Sequence, residues 1–223
     1  MWLRFRSATA LCTLFFCWFP LAEAELARTK LHGGRSPDGR FAIELQSQPT
    51  KTGGAILSYV VIDEKTRTAL LRLKSSYSAN TPDVDEVPDR WLNLAKATDV
   101  YWNQDSSLVA IDECPLQHSG RVFLAAIDGD HLARRLIFPE NEILRRTGLV
   151  WARVRLRVCA GGSASWIDNR HLCVNVGGFP SRQKGKAAPA GGFPNRMYRA
   201  VIEVEPRSRP RVVSVRPALD ANR

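Results

Sequence analysis

Alternating apolar and polar residues dominate the chain after its first 35 positions. This period of two is typical of strands, because successive side chains of a strand point to opposite faces of the sheet. The pattern predicts strands of five to seven residues at "RFAIEL", "ILSYVVI", "TALLRL", "SLVAID", "RVFLAAI", "ARVRLRV", "HLCVNV", "YRAVIEV" and "RVVSV". Residues 89–97 and 139–146 suit two helical turns each. We therefore predict an all-β fold with short helical connectors.

Two segments of the chain have the same order of elements. "SPDGRFAIEL" leads into a strand, an acidic turn and a return strand, and "WNQDSSLVAIDE" leads into the same series. Asp38 and Asp105 are 67 residues apart, and Asp63 and Asp128 are 65 residues apart. A weaker third copy extends to the last predicted strand. The repeat predicts antiparallel units at about 35–75, 98–139 and 147–217.

The "SPDG" turn before a strand, followed by a hairpin with an aspartate in its turn, resembles the blade repeats of TolB-type (WD40-like) β-propellers. The resemblance covers 36–73 and 99–138 well and the remainder poorly, and "NQDS" replaces "SPDG" in the second copy. It implies propeller-blade-like units and, at the level of class, binding or scaffolding in the cell envelope. Three units are fewer than the four to eight blades of typical propellers. We therefore expect a partial propeller or a sandwich-like array whose open edges are covered by the N-terminal segment, a partner or a second copy.

The first 24 residues predict an export signal. Arg4 and Arg6 precede an apolar run that is short for a membrane span, and "AEA" at 22–24 provides small residues for cleavage. An anchor that stays attached is the alternative. The predicted layout is a signal peptide at 1–24, a linker at 25–34, a single all-β domain at 35–217 and a tail at 218–223. The mature protein is expected to be soluble and secreted or periplasmic.

The chain is basic, with 32 Lys and Arg against 22 Asp and Glu and a net charge of +10. Such a balance suits anionic glycans, lipid headgroups or nucleic acid, and it equally serves solubility. Within "WARVRLRVC", strand alternation puts Arg153, Arg155 and Arg157 on one face at about 7 Å per step, a spacing suited to an anionic polymer. In the alternative, Glu203 and Glu205 lie on a neighbouring strand and neutralise this arginine row.

A local duplication, "GGFPSR" and "GGFPNR", flanks "QKGKAAPA" and predicts a mobile surface loop at 177–197. Its Lys184 and Lys186 complete the candidate polyanion site. The alternative is an insertion that is tolerated because exposed loops are easily lengthened.

Three cysteines follow the predicted signal: Cys114, Cys159 and Cys173. Cys159 and Cys173 flank a Gly-rich turn, and we predict that they form a disulfide in an oxidising compartment. Cys114 is then buried or free. With His171 these cysteines also resemble a zinc pattern, but zinc ligands usually come in tight pairs, so no metal site and no cofactor is predicted.

No motif for nucleophilic catalysis is present. "GGSAS" lacks the glycine that should follow Ser163 in a nucleophile elbow, and the four histidines are scattered. The sequence therefore predicts no catalytic residue, and enzymatic activity stays uncertain. We expect an exported, non-enzymatic β-repeat protein with a binding or scaffolding role in the envelope. The alternatives are a polyanion-binding protein and a small extracellular hydrolase whose site is assembled from distant residues.

Overall fold

The computed structural model describes residues 27–50, 55–75, 94–113, 121–128, 132–149, 164–178 and 196–218. Within these ranges the chain is mostly β, as predicted, and the strands form three antiparallel meanders of four strands each. The first meander consists of β1 (Ala27–Arg35), β2 (Phe41–Pro49), β3 (Ala55–Asp63) and β4 (Ala69–Lys74). The second consists of β5 (Thr98–Trp102), β6 (Leu108–Glu113), β7 (Arg121–Ile127) and β8 (Ala133–Leu136). After helix α1 (Glu140–Thr147), the third consists of β9 (Ala164–Trp166), β10 (His171–Gly178), β11 (Arg196–Glu203) and β12 (Arg211–Pro217).

The first two meanders share one eight-stranded sheet. Strand β1 pairs with β2 in the antiparallel direction and with β5 in the parallel direction, through His32 and Asp99. The resulting strand order is β4-β3-β2-β1-β5-β6-β7-β8. The third meander is a separate sheet in the order β12-β11-β10-β9.

Strand β1 corrects two expectations. Residues 25–34 were predicted to be a linker, yet β1 begins at Ala27 and lies between β2 and β5. The segment "ARTKLHGGR" has Leu31 as its one large apolar residue, so its strand is set by pairing on both edges and not by alternation. Residues 27–35 therefore join the middle of the sheet and do not cover an edge.

Two apolar cores lie between the three meanders, and each core joins two of them. The first core contains residues of the first and second meanders, including Tyr59, Ile43, Leu45, Ile111 and Phe123. The second core joins the second and third meanders to Ile143 and Leu144 of α1. The second meander is thus covered on both sides, and every residue of β6 is buried. This double burial explains the unbroken apolar run "VFLAAI" at 122–127 in β7.

The first turn of each meander has the same design. An aspartate side chain accepts a hydrogen bond from the main-chain N–H two residues later, which stabilises a tight turn. The pairs are Asp38 with Arg40 at 3.0 Å, Asp105 with Ser107 at 3.0 Å and Asp168 with Arg170 at 2.7 Å. Asp38 and Asp105, whose spacing indicated the repeat, therefore have equivalent positions.

Tryptophans connect successive meanders in the same way. The indole N–H of Trp102, the last residue of β5, donates to the main-chain oxygen of Gly34 on β1 at 3.2 Å. The indole N–H of Trp166, the last residue of β9, donates to the main-chain oxygen of Tyr101 on β5 at 2.9 Å. Each first strand is thus attached to the first strand of the meander before it.

Helix α1 covers part of the outer edge of β12. The main-chain N–H of Val212 donates to the carboxylate of Glu142 at 3.3 Å, and Arg146 donates to the main-chain oxygen of Val213 at 3.4 Å. The helix lies where the sequence predicted one, at 139–146. A covered edge was expected from the N-terminal segment or a partner, whereas at this position a helix of the same chain provides the cover.

Candidate anion-binding face

The third meander has one apolar face and one polar face. Its inward side chains belong to the second core and include Leu172, Val174, Ala200, Ile202 and Val212. The intervening positions form what we call the third-meander face: His171, Cys173, Asn175, Arg199, Val201, Glu203, Arg211, Ser214 and Arg216. Strand register arranges these side chains in three rows that cross the sheet.

One row presents two arginines to each other. Arg199 on β11 lies directly opposite Arg216 on β12, and Asn175 on β10 is the other neighbour of Arg199. Both arginines are exposed, and neither forms an ion pair with a carboxylate of the described residues. Together with Val201 and Ser214 they line a cavity of about 260 Å³. Like charges directly opposite each other on neighbouring strands repel, so an anion bound between them would stabilise this row.

A β-bulge sets the register of this row. The pairing of β11 with β12 shifts between Val201 and Ile202, and Val213 is the extra residue. Its side chain is 47% exposed. Without the shift, Val215 would lie opposite Arg199, because a slip of one residue turns each side chain to the other face. The bulge therefore brings Arg216 to the cavity.

The opposite end of the face is electrically balanced. Glu203 accepts a hydrogen bond from the guanidinium of Arg211, and this bond lowers the pKa of Glu203 below its usual value. His171 lies opposite Glu203, and its Nδ1 is 2.8 Å from the Asp168 carboxylate. The positive charge of Arg211 thus has a carboxylate partner, in contrast to that of Arg199 and Arg216.

The middle row contains Cys173, Val201 and Ser214. Burial raises the pKa of the Cys173 thiol, although the nearby charge of Arg199 acts in the opposite direction. A thiol of raised pKa is a weak nucleophile at neutral pH. Cys173 is free in the structure. Its predicted partner Cys159 lies outside the described residues, so the disulfide stays a prediction.

The polyanion residues that the sequence indicated lie outside the described residues. They are Arg153, Arg155, Arg157, Lys184 and Lys186. The predicted loop at 177–197 is described only at its ends, where Gly177 pairs with Met197 and Gly178 with Arg196. Strands β10 and β11 therefore extend into the range that was predicted to be mobile.

The alternative in which Glu203 and Glu205 neutralise the predicted arginine row stays a prediction, because Arg153, Arg155 and Arg157 lie outside the described residues. Among the described strands, the two neighbours of β11 are β10 and β12. Glu203 pairs with Arg211, and Glu205 pairs with Arg170 at 3.3 Å. These carboxylates have their partners within the third meander and its first turn.

A buried polar cluster connects the first two meanders. Glu113 is fully buried and accepts hydrogen bonds from the hydroxyl of Tyr59, at 2.9 Å, and from the hydroxyl of Ser75. The Tyr59 oxygen also lies 3.1 Å from Oγ1 of Thr98, which donates to the main-chain oxygen of Leu94 at 2.7 Å. Burial and the charge of Glu113 raise the pKa of Tyr59 well above its usual value. These bonds give the cluster a structural role.

Two histidines of the described residues lie beside carboxylates. His171 contacts Asp168, and Nδ1 of His32 lies 3.4 Å from Asp99. Neither histidine lines the cavity beside Arg199. The described residues contain no group of three metal-binding side chains and no helix that is long and apolar enough to cross a membrane. The hydrolase alternative stays a prediction.

No family model and no curated protein sequence matches this chain. Among solved structures, the acylaminoacyl peptidase of Pyrococcus horikoshii aligns with a TM-score of 0.42 and 10% sequence identity. The alignment covers 89% of this chain and 26% of that chain, so this chain spans about a quarter of that protein's length. At this TM-score the likeness carries no argument about fold or activity.

Proposed function

We propose that this chain is an exported, non-enzymatic β-repeat protein that binds anionic groups in the cell envelope through its third-meander face. The observation that carries this proposal is the pair formed by Arg199 and Arg216, which lie directly opposite each other beside a cavity. Guanidinium groups bind carboxylates and phosphates through paired N–H donors. An anion at this position would satisfy both groups at once.

The neighbouring arginines support this interpretation. Arg211 and Arg170 each pair with a carboxylate of the same region, Glu203 and Glu205 respectively. The third meander therefore has carboxylates available for pairing, and none of them lies opposite Arg199 or Arg216. Within the described residues the charge of this row thus has no carboxylate partner, which favours binding of an external anion.

The repeat supports the proposed class of protein. Three meanders carry the same aspartate turn, and two tryptophans join them in the same way. We interpret the meanders as propeller-blade-like units of a partial array, in agreement with the TolB-type resemblance. The export signal that the sequence predicts at 1–24 supports the proposal of an envelope location.

Charge reversal of one arginine tests the proposal. Arg199→Glu should elute from a sulfopropyl column at clearly lower salt than the control Arg134→Glu. Arg134 is a matched control because it is also an exposed strand arginine, on β8, without an ion pair to a described carboxylate. The change in net charge is the same in both variants. Equal elution of the two variants would overturn the proposed site.

A third variant, Arg155→Glu, tests the basic residues that the sequence indicated. If this variant loses retention while Arg199→Glu does not, anion binding belongs to the predicted arginine row and the proposed site is wrong. If Arg199→Glu alone loses retention, the third-meander face is the site. Far-ultraviolet circular dichroism of each variant verifies that the β-structure is intact.

A further inference from the structure

We infer that the anion bound between Arg199 and Arg216 is a doubly charged phosphomonoester group. This inference rests on the proposed function, because it names the ligand of the same site. The two residues are directly opposite on neighbouring strands and line the same cavity, so one anion can interact with both side chains. A carboxylate or a sulfate ester, with one negative charge, would leave one of these two positive charges uncompensated.

The hydrogen-bonding groups of the site are mostly donors. Each guanidinium has five N–H donors and no acceptor. Ser214 lines the same cavity, and Asn175 lies opposite Arg199 on β10. Neither side chain forms a hydrogen bond with another described residue. A phosphomonoester has three strong acceptor oxygens and a charge between −1.5 and −2 at neutral pH, which matches this set of donors.

The middle row of the face suits the uncharged group that is esterified to the phosphate. Val201 provides an apolar wall between the arginine row and the balanced row that contains Glu203. Cys173 lies on the other side of Val201 and is half-buried, and burial raises the pKa of its thiol. An uncharged ester group can therefore lie along the middle row while its phosphate contacts both arginines.

Affinity measurements with small anions test the inference. Glycerol phosphate, methyl sulfate and acetate are titrated into the full mature chain by calorimetry at constant ionic strength and about pH 7.5. We expect glycerol phosphate to bind about tenfold more tightly than either singly charged anion. Binding should weaken several-fold at about pH 5.5, because the phosphomonoester loses its second charge near pH 6. Equal affinities for the three anions, or no change with pH, would overturn the inference.

Two variants connect the result to the site. Arg199→Gln removes one of the two facing positive charges, so it should lose most of the preference for glycerol phosphate over the singly charged anions. The control Arg134→Gln should keep that preference. If both variants keep it, phosphate binds elsewhere and the assignment to this row is wrong.

Binding to lipid vesicles distinguishes the two possible sources of the phosphomonoester, a lipid headgroup and a soluble or glycan-borne group. Vesicles containing phosphatidic acid carry a monoester headgroup, whereas phosphatidylglycerol vesicles carry a singly charged diester. Binding to phosphatidic acid alone indicates a lipid source, and binding of glycerol phosphate without vesicle binding indicates a soluble or glycan-borne source; each supports the inference. A chain that is retained on the sulfopropyl column through Arg199 but does not prefer glycerol phosphate would refute the ligand and leave the proposed function standing.

Discussion

The carboxylate of Glu142 on helix α1 accepts a hydrogen bond from the main-chain N–H of Val212, 3.3 Å away on β12. The next residue, Val213, is the extra residue of the bulge, and its main-chain oxygen accepts a hydrogen bond from Arg146 of the same helix. The helix thus holds the strand at the point where its register shifts. Because the shift brings Arg216 opposite Arg199, we expect α1 to position one half of the proposed anion site, although no residue of α1 lines the cavity.

Loss of the Arg146 side chain should weaken the site from a distance. Arg146→Ala removes the bond to Val213 and the ion pair with Glu142, at 2.6 Å. We expect the free energy of unfolding to fall by about 0.5–1 kcal/mol, and glycerol phosphate affinity to fall several-fold because the bulge is less firmly held. Chemical denaturation and calorimetry measure the two effects.

Arg145→Ala is the control for that change. Arg145 is exposed in the same helical turn, and the substitution removes the same charge without removing a hydrogen bond to β12. Its stability and affinity should stay close to those of the wild type. If both variants behave alike, net charge and not bulge support explains the effect.

Gly33 should tolerate no side chain. It has a φ of +67°, and a Cβ atom at this position would lie 2.4 Å from the main-chain oxygen of Val100. Gly33→Ala should therefore lower the free energy of unfolding by about 3 kcal/mol or more. Gly148 has a nearly identical φ of +69° but open space around it, so Gly148→Ala should cost about 1 kcal/mol. Urea unfolding of the two variants measures the difference, and equal losses would refute the close approach of β1 to β5.

The hydroxyl of Tyr59 should matter for stability although the ring alone could fill the core. Tyr59→Phe removes a donor to the buried carboxylate of Glu113, and the cost of such a loss is about 1–3 kcal/mol. Tyr198→Phe is the control, since the Tyr198 side chain is half-buried and its hydroxyl has no hydrogen bond within the described residues. Thermal unfolding should separate the two variants, with Tyr59→Phe the less stable; equal midpoints would contradict a structural role for the cluster.

Acid should destabilise the fold. Four carboxylates have pKa values below their usual values of 3.8 for Asp and 4.5 for Glu: Asp38, Glu142, Asp168 and Glu203. A carboxylate whose pKa is lower in the folded than in the unfolded chain contributes stability above its unfolded pKa and loses it as the pH falls through the folded pKa. Burial raises the pKa of Glu140, which opposes this trend.

The midpoint of thermal unfolding should therefore be nearly constant from about pH 7 to about pH 5 and then fall below about pH 4.5. Asp168→Asn should reduce this fall, because hydrogen bonds from the Arg170 main chain and from His171 are the largest causes of the lowered pKa of Asp168. A midpoint that rises toward pH 3 in the wild type would contradict this prediction and show that the raised pKa of Glu140 outweighs the four lowered ones.

The local alternation of apolar and polar residues predicted the strands whose side chains pack into a core. Alternation located β2 and β3, and the "PENEILRR" segment located α1 within one residue. The correspondence of Asp38 with Asp105 also followed from the sequence, because an Asx turn is built from residues that are adjacent in the chain. Short-range chemistry was sufficient for these features.

Features that depend on pairing between distant residues could not be predicted. Strand β1 has few apolar side chains, and its partners on β2 and β5 determine that it is a strand. Regular alternation along β11 puts Arg199 on the same face as Glu203, but Arg216 reaches that face only through the bulge at Val213. A bulge of one residue leaves no signal in the alternation of a seven-residue strand.

The tryptophan contacts give the array a direction. Trp102 donates to Gly34, and Trp166 donates to Tyr101. In both contacts the later meander provides the donor and the earlier meander provides the acceptor. A gene duplication that copies one whole module would copy both halves of the junction together. A chain of this design can therefore gain or lose one complete meander and keep the same tryptophan contact between neighbouring meanders. An insertion between a tryptophan and the aspartate turn that follows it would break that contact.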